Sequence, residues 1–150
     1  MSILKVARLG HPVLRKISLE VRPSEINSSE YQRLIDDMIL TMKEYDGVGL
    51  AASQVHESLQ IAVLEVADNP RYPNKPQIPL TVLINPKITP LTEKTEEDWE
   101  GCLSISELRG KVPRFKQIKI SAQDRDGNDL NFVASGFHAR VIQHEWDHLQ

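Results

Sequence analysis

An α+β domain is the fold class this sequence predicts, and three observations carry the prediction. Apolar residues recur at helical spacing over about 28–45, several short apolar segments bounded by Pro, Gly or Asn read as strands, and the chain closes on a helical pattern containing Gln143-His144-Glu145-Trp146-Asp147-His148. The expected arrangement is small mixed or antiparallel β-sheets packed around that last helix, in one domain spanning 1–150.

Residues 1–23 read as an extended arm, with a turn at Gly10-His11-Pro12 and a further break at Pro23. Asn27 as N-cap and Glu30 three residues on form a capping box. Tyr31, Leu34, Ile35, Met38, Met42 and Tyr45 follow at helical spacing, so a helix is expected over 28–45, ended by Gly47 and Gly49. Leu59 to Val66 reads as a buried strand. Pro70, Pro73, Pro76 and Pro79 make 68–79 a stiff surface loop, since too little chain follows for a second core. A strand over 81–85 is expected to stop at Pro86. Segments 117–123 and 130–134 flank a Gly-containing turn and predict a hairpin. Ser135 can cap a final helix over 136–148.

Composition narrows the function classes. Charged residues are 26% and hydrophobic ones 40% of 150, with net charge −3, ordinary for a globular domain and without the basic stripe of a nucleic-acid binder. The single cysteine, Cys102, excludes an intrachain disulfide. No apolar run approaches a signal peptide or the ~18 residues of a membrane span, so a reducing cytoplasm is the expected setting.

The chemistry concentrates at the end of the chain. His144 and His148 stand at i and i+4, roughly 5–6 Å apart at Cβ on one helix face, close enough to grip one ion. Glu145 beside them fits a general base acting on a water that the ion activates. The plain alternative is an amphipathic helix with two exposed histidines. A catalytic site needs a third protein ligand and an open position, and Cys102, in Glu100-Gly101-Cys102-Leu103-Ser104, is the candidate. A Cys-His-His set suits Zn²⁺ or Fe²⁺ rather than a hard ion. A lone Cys is otherwise more often a small buried apolar residue. In Gly47-Val48-Gly49-Leu50-Ala51-Ala52-Ser53-Gln54 the small residues permit close backbone approach and Gln54 offers an amide donor, though alone the stretch reads as a loop after a helix. His138 lies six residues before His144, ~240° around the helix, which argues against its being a ligand.

Together these three stretches resemble the peptide deformylase family, whose motifs G-x-G-L-A-A-x-Q, E-G-C-L-S and Q-H-E-x-D-H occur here in order at 47–54, 100–104 and 143–148. Arg8-x-Gly10-x-Pro12-Val13-Leu14-Arg15 extends the resemblance to the N-terminal arm, and the Pro-rich 68–79 resembles the longer loop of bacterial members. The resemblance implies that Cys102, His144 and His148 bind one divalent ion, Fe²⁺ first, with Ni²⁺, Co²⁺ or a less active Zn²⁺ in its place. It implies that Glu145 is the general base, and that the Gln54 amide and Leu103 N–H hold the oxyanion. Val48 and Gly49 would pair with the peptide, Arg109 would contact it, and Val48, Leu103 and Ile142 would line an apolar pocket for methionine, Leu103 and Ile142 being equally plausible as core. The implied reaction removes the formyl group from N-formylmethionyl nascent peptides, by a monomer near the ribosome, with no membrane or nucleic-acid site.

Four departures stand out. Ser53 occupies a position where many relatives have Pro, His56 one where a small apolar residue is usual, and Ile105-Ser106 replaces an apolar-Pro pair. The chain also stops short after the metal helix, at Gln150, which places His148 in a last turn expected to fray unless metal pins it. A homologue that binds metal or formylated N-termini without turnover is therefore the competing reading. A zincin-type endopeptidase is disfavoured, because its third ligand comes from downstream chain.

Overall fold

The computed structural model describes residues 1–150. Its elements are α1 (Ser29–Glu44), β1 (Gly49–Ala51), β2 (Ile61–Val66), β3 (Ile78–Pro90), β4 (Thr95–Cys102), β5 (Ile105–Phe115), β6 (Gln117–Gln123), β7 (Asp129–Ser135) and α2 (Gly136–Asp147). Five strands form an antiparallel sheet in the order β1-β2-β3-β6-β7, and β4 with β5 forms a separate two-stranded ribbon. The expected α+β class holds, and both sheets are antiparallel. No helix is long and apolar enough to cross a membrane.

Two apolar clusters explain the apolar run of β2, which only Glu65 interrupts. Ile61 and Val63 join Ile35, Met38 and Met42 of α1 in one cluster. Leu64 and Val66 join Ile118, Ile120, Ala139 and Ile142 in the other. Side chains alternate across a strand, so the sheet is covered by α1 on one face and α2 on the other.

Several local expectations are corrected. The cap of α1 is Ser28, whose hydroxyl accepts from the Tyr31 N–H at 3.3 Å, while Asn27 reaches the Asp126 carbonyl. Pro86 does not end β3. The register shifts between Ile84 and Lys87, Asn85 takes a positive φ of 54°, and Pro86 sits in this irregularity, where no ladder donor is required. Asn85 repays the break by exchanging two hydrogen bonds of 2.8 Å with the Val21 backbone, which ties the arm to the sheet.

The β4–β5 ribbon had no forecast. Its residues are mostly exposed on both faces, so no period-two apolar pattern marks them. The end of α2 also makes contacts with distant segments. The Ser53 hydroxyl donates to the His148 carbonyl at 3.0 Å, the Ser18 N–H donates to the Leu149 carbonyl at 3.1 Å, and Leu149 is fully buried with Ala51 and Ala62. These contacts satisfy carbonyls that a helix end leaves without intrahelical partners.

Candidate active site

Three segments far apart in sequence converge on one cleft. Residues 47–54 run from the end of α1 into β1 and a 3-10 turn carrying Gln54. The tight turn between β4 and β5 carries Cys102 and Leu103. The buried face of α2 carries His144, Glu145 and, one turn on, His148. Val48, Gly49, Gln54, Cys102, Leu103, His144 and Glu145 line the cleft.

The candidate ligand atoms of Cys102, His144 and His148 all lie within 4.8 Å of one another. The two histidine Nε2 atoms are 3.3 Å apart, and Cys102 Sγ is 3.4 Å from His148 Nε2. Two nitrogens bound to one ion at ~2.0–2.1 Å and a tetrahedral angle would lie ~3.4 Å apart, so the spacing fits a single transition metal. Burial opposes ionisation of Cys102, but hydrogen bonds to His144 and His148 outweigh it and bring the thiol down to about 5. Thiolate is the form a soft divalent ion takes. For His144 burial likewise opposes the charge, and its bonds to Cys102 and Glu100 prevail, raising it to about 11.

Glu100 organises this centre. One carboxylate oxygen is 2.9 Å from His144 Nδ1, which leaves Nε2 turned to the ligand cluster. Arg114 donates twice to the carboxylate, at 3.0 and 2.9 Å, and Arg140 once at 2.7 Å. Burial works against the charge, but His144 and Arg114 hold Glu100 down at about 2. Asp147 adds a second ion pair to Arg114, so it belongs to this network and not to the ligand set.

Glu145 is buried at 4% exposure, and one of its carboxylate oxygens has no hydrogen-bond partner. Burial pushes its pKa up, as suits a proton acceptor near neutrality. Gly49 makes room for it. A Cβ added there would stand 2.8 Å from Glu145 Cγ and Cδ and closer still to one oxygen. Gln54 is oriented by its own loop. Its side-chain oxygen accepts from the Ala51 N–H at 3.0 Å, so its NH₂ faces the Ser104 hydroxyl at 3.2 Å and Cys102 Sγ at 3.5 Å.

Two expected substrate residues lie elsewhere. Ile142 is 1% exposed in the apolar cluster behind α2 and does not line the cleft; Val141 and Phe137 do, at helical spacing with His144 and Glu145. Arg109 lies outside the cleft lining. Its guanidinium donates to the Arg71 carbonyl at 2.6 Å and stands over the Tyr72 ring at 4.7 Å. Arg71 and Tyr72 do line the cleft, brought there by the Pro-rich loop, and the Tyr72 hydroxyl accepts from the Gly101 N–H at 2.8 Å. Sequence gave no signal for them beyond the loop itself. His138 is half-buried and stacked on Phe132, apart from the ligands.

A thiolate-and-imidazole ligand set beside a buried carboxylate, in this α+β frame, defines the chain as a metallohydrolase. The sequence profile described as Polypeptide deformylase matches residues 3–150. The chain is 46% identical to peptide deformylase 1 of Nitrosomonas europaea over 147 residues, 98% of this chain and 82% of that protein. It is 46% identical to peptide deformylase 2 of Pseudomonas putida, with 98% and 83% covered. A Met-Ala-Ser-bound class I type b peptide deformylase from Acinetobacter baumannii superposes with TM-score 0.94 at 38% identity, covering 98% of this chain and 92% of that one. The chain belongs to the polypeptide deformylase family.

Proposed function

We propose that the chain hydrolyses the formyl amide of N-formylmethionyl nascent peptides, releasing formate, and that the residues gathered in the cleft carry the reaction. One observation supports this above the rest: a buried carboxylate, a primary amide and a Cys-His-His set meet in one cleft from three separate segments. Cys102, His144 and His148 would hold one divalent ion, Fe²⁺ in our reading, which supplies Lewis acidity and makes a water nucleophilic near neutral pH. Glu145 takes the proton of the attacking water as its oxygen bonds to the formyl carbon. The same carboxylate returns that proton to the peptide nitrogen as the C–N bond breaks. Formate and a free methionyl N-terminus result.

The Gln54 NH₂ and the Leu103 N–H would donate to the developing oxyanion, a contribution of about 10²–10³ in rate per donor. The Leu103 N–H donates to no backbone carbonyl. Val48, Leu103, Phe137 and Val141 supply the apolar wall that methionine would occupy. Gly49, with its neighbour Val48, offers the backbone edge along which the peptide lies, and Arg109 acts at the rim by holding Arg71 and Tyr72. Met-Ala-Ser, held by the Acinetobacter relative, is what formyl-Met-Ala-Ser becomes on losing its formyl group.

The decisive experiment is formate release from formyl-Met-Ala-Ser by protein purified anaerobically and loaded with Fe²⁺, Ni²⁺, Co²⁺ or Zn²⁺. Turnover is expected with the first three and less with Zn²⁺, and Glu145→Ala should keep its metal and lose turnover. Full activity in that variant would remove Glu145 from its role. Metal bound at one per chain with no turnover at all would favour the homologue that binds without reacting, which no structural observation favours.

A further inference from the structure

Beside the cleft lies a second depression lined by Lys5, Arg8, Tyr45, Arg71, Leu103 and Ser106. Arg71 and Leu103 line both, so the two are neighbours that share those side chains. Three cations converge there, and no carboxylate lines the depression, although the chain as a whole carries net charge −3. None of Lys5, Arg8 and Arg71 takes part in an ion pair. Arg8 is nevertheless fixed in place, because its guanidinium donates to the Ser106 hydroxyl at 2.7 Å and the next residue's N–H donates to the Ser104 carbonyl at 2.9 Å. Ser106 is one of the departures from the family pattern, so this anchor comes from the chain's own sequence.

We propose that this depression is a specificity subsite for acidic side chains in the substrate, at about the third to fifth residues. The inference rests on the deformylase reading of the neighbouring cleft. A peptide whose formylated end reaches Cys102 and whose methionine fills the cleft has only its C-terminal side left to leave by. The wall at Leu103 and Arg71 borders the cationic depression. At roughly 3.3–3.6 Å per extended residue, two or three further residues cross it. Unpaired cations of one sign raise the local concentration of carboxylates and select against lysine. Each exposed pair is individually weak and screened by salt, so the effect is a graded preference.

The test uses the metal-loaded enzyme and three peptides: formyl-Met-Ala-Glu-Glu-Ser, formyl-Met-Ala-Ser-Ser-Ser and formyl-Met-Ala-Lys-Lys-Ser. The acidic peptide should exceed the neutral one by about three- to tenfold in kcat/KM and the basic one should fall below it. The difference should sit in KM, because the contact forms equally in ground and transition states. High salt should flatten the series. Lys5→Glu with Arg8→Glu should reverse the order of acidic and basic peptides, each ratio being taken within one protein, with thermal unfolding as a check on folding. Equal kcat/KM for all three peptides, or an acidic preference that survives the double reversal, would overturn the subsite. Failure to turn over even the neutral peptide would sink the underlying deformylase reading instead.

Discussion

His144 and His148 sit one turn apart on the same helix, yet the molecule holds them in opposite ways. His144 is oriented through its ring, by a Glu100 carboxylate that is itself clamped by Arg114 and Arg140. His148 has no such carboxylate. It is held through its main chain, by the Ser53 hydroxyl on its carbonyl and by the buried Leu149 that follows. The difference follows from which groups of the last turn meet other segments. Both residues lie in that turn, and His144 reaches another segment through its ring alone. A residue at the C-terminus has a free carbonyl, and gripping it fixes the ring indirectly. Each hold comes from a different segment, so metal binding ties the β4–β5 ribbon and the 3-10 turn after β1 to one helix.

That asymmetry can be broken in graded steps. The largest effect should come from a change that touches neither hold. Gly49→Ala drives a Cβ into Glu145 and should cost about 100-fold in kcat, since misplacing a reacting group by about 1 Å costs that much, with metal content unchanged. Metal analysis beside steady-state kinetics checks it; normal kcat would show that Glu145 has room to move.

Next is Glu100→Gln, which removes the charge that orients His144 and leaves Arg114 and Arg140 without their common partner. Metal affinity should fall about 10–100-fold in a chelator competition. If affinity holds, the ring of His144 needs no outside support.

A third variant tests the corrected pocket wall. Ile142→Ala should destabilise the fold by about 2–5 kcal/mol in denaturant unfolding and leave KM alone, as for a core residue. Val141→Ala should do the reverse, raising KM for formyl-Met-Ala-Ser with a smaller loss of stability. An Ile142 variant that changed KM and not stability would return it to the pocket.

The smallest effect belongs to Ser53→Ala. Losing one hydrogen bond to the His148 carbonyl should cost about 0.5–1.5 kcal/mol of stability and less than tenfold in metal affinity. A loss of metal as large as that of Glu100→Gln would erase the asymmetry between the two histidines.

The reach of the sequence can be judged element by element. Helix α1, the β6–β7 hairpin and the last helix were legible because their signals are local, a period or a turn residue within a few positions, whereas the caps were not: α1 is capped by Ser28, and the Ser135 side chain makes no capping bond. The candidate ligand set could be named from sequence for two reasons. His144 and His148 share a helix face, and Cys102 lies in a stretch that matches a family motif. The β4–β5 ribbon was not, because a strand pair exposed on both faces carries no apolar alternation. The pocket wall was misplaced by one residue, Ile142 for Val141. Both residues belong to the same apolar cluster, but a turn of about 100° per residue brings only Val141 round to the cleft as well.

By itself, then, the sequence determined the helices, most strands, the three metal-binding candidates and the carboxylate beside them, because helical geometry and motif spacing fix them within a few residues. A Glu100–Arg114 contact was one of the sequence's alternatives, but only the tertiary structure decided that Glu100, held also by Arg140, orients His144 and that Ser53 and Leu149 pin the turn of His148. It also decided that Arg71 and Tyr72 reach the cleft and that Lys5 and Arg8 meet beside it. These are contacts between residues tens of positions apart, and no local periodicity encodes which distant segments a folded sheet and helix will bring together.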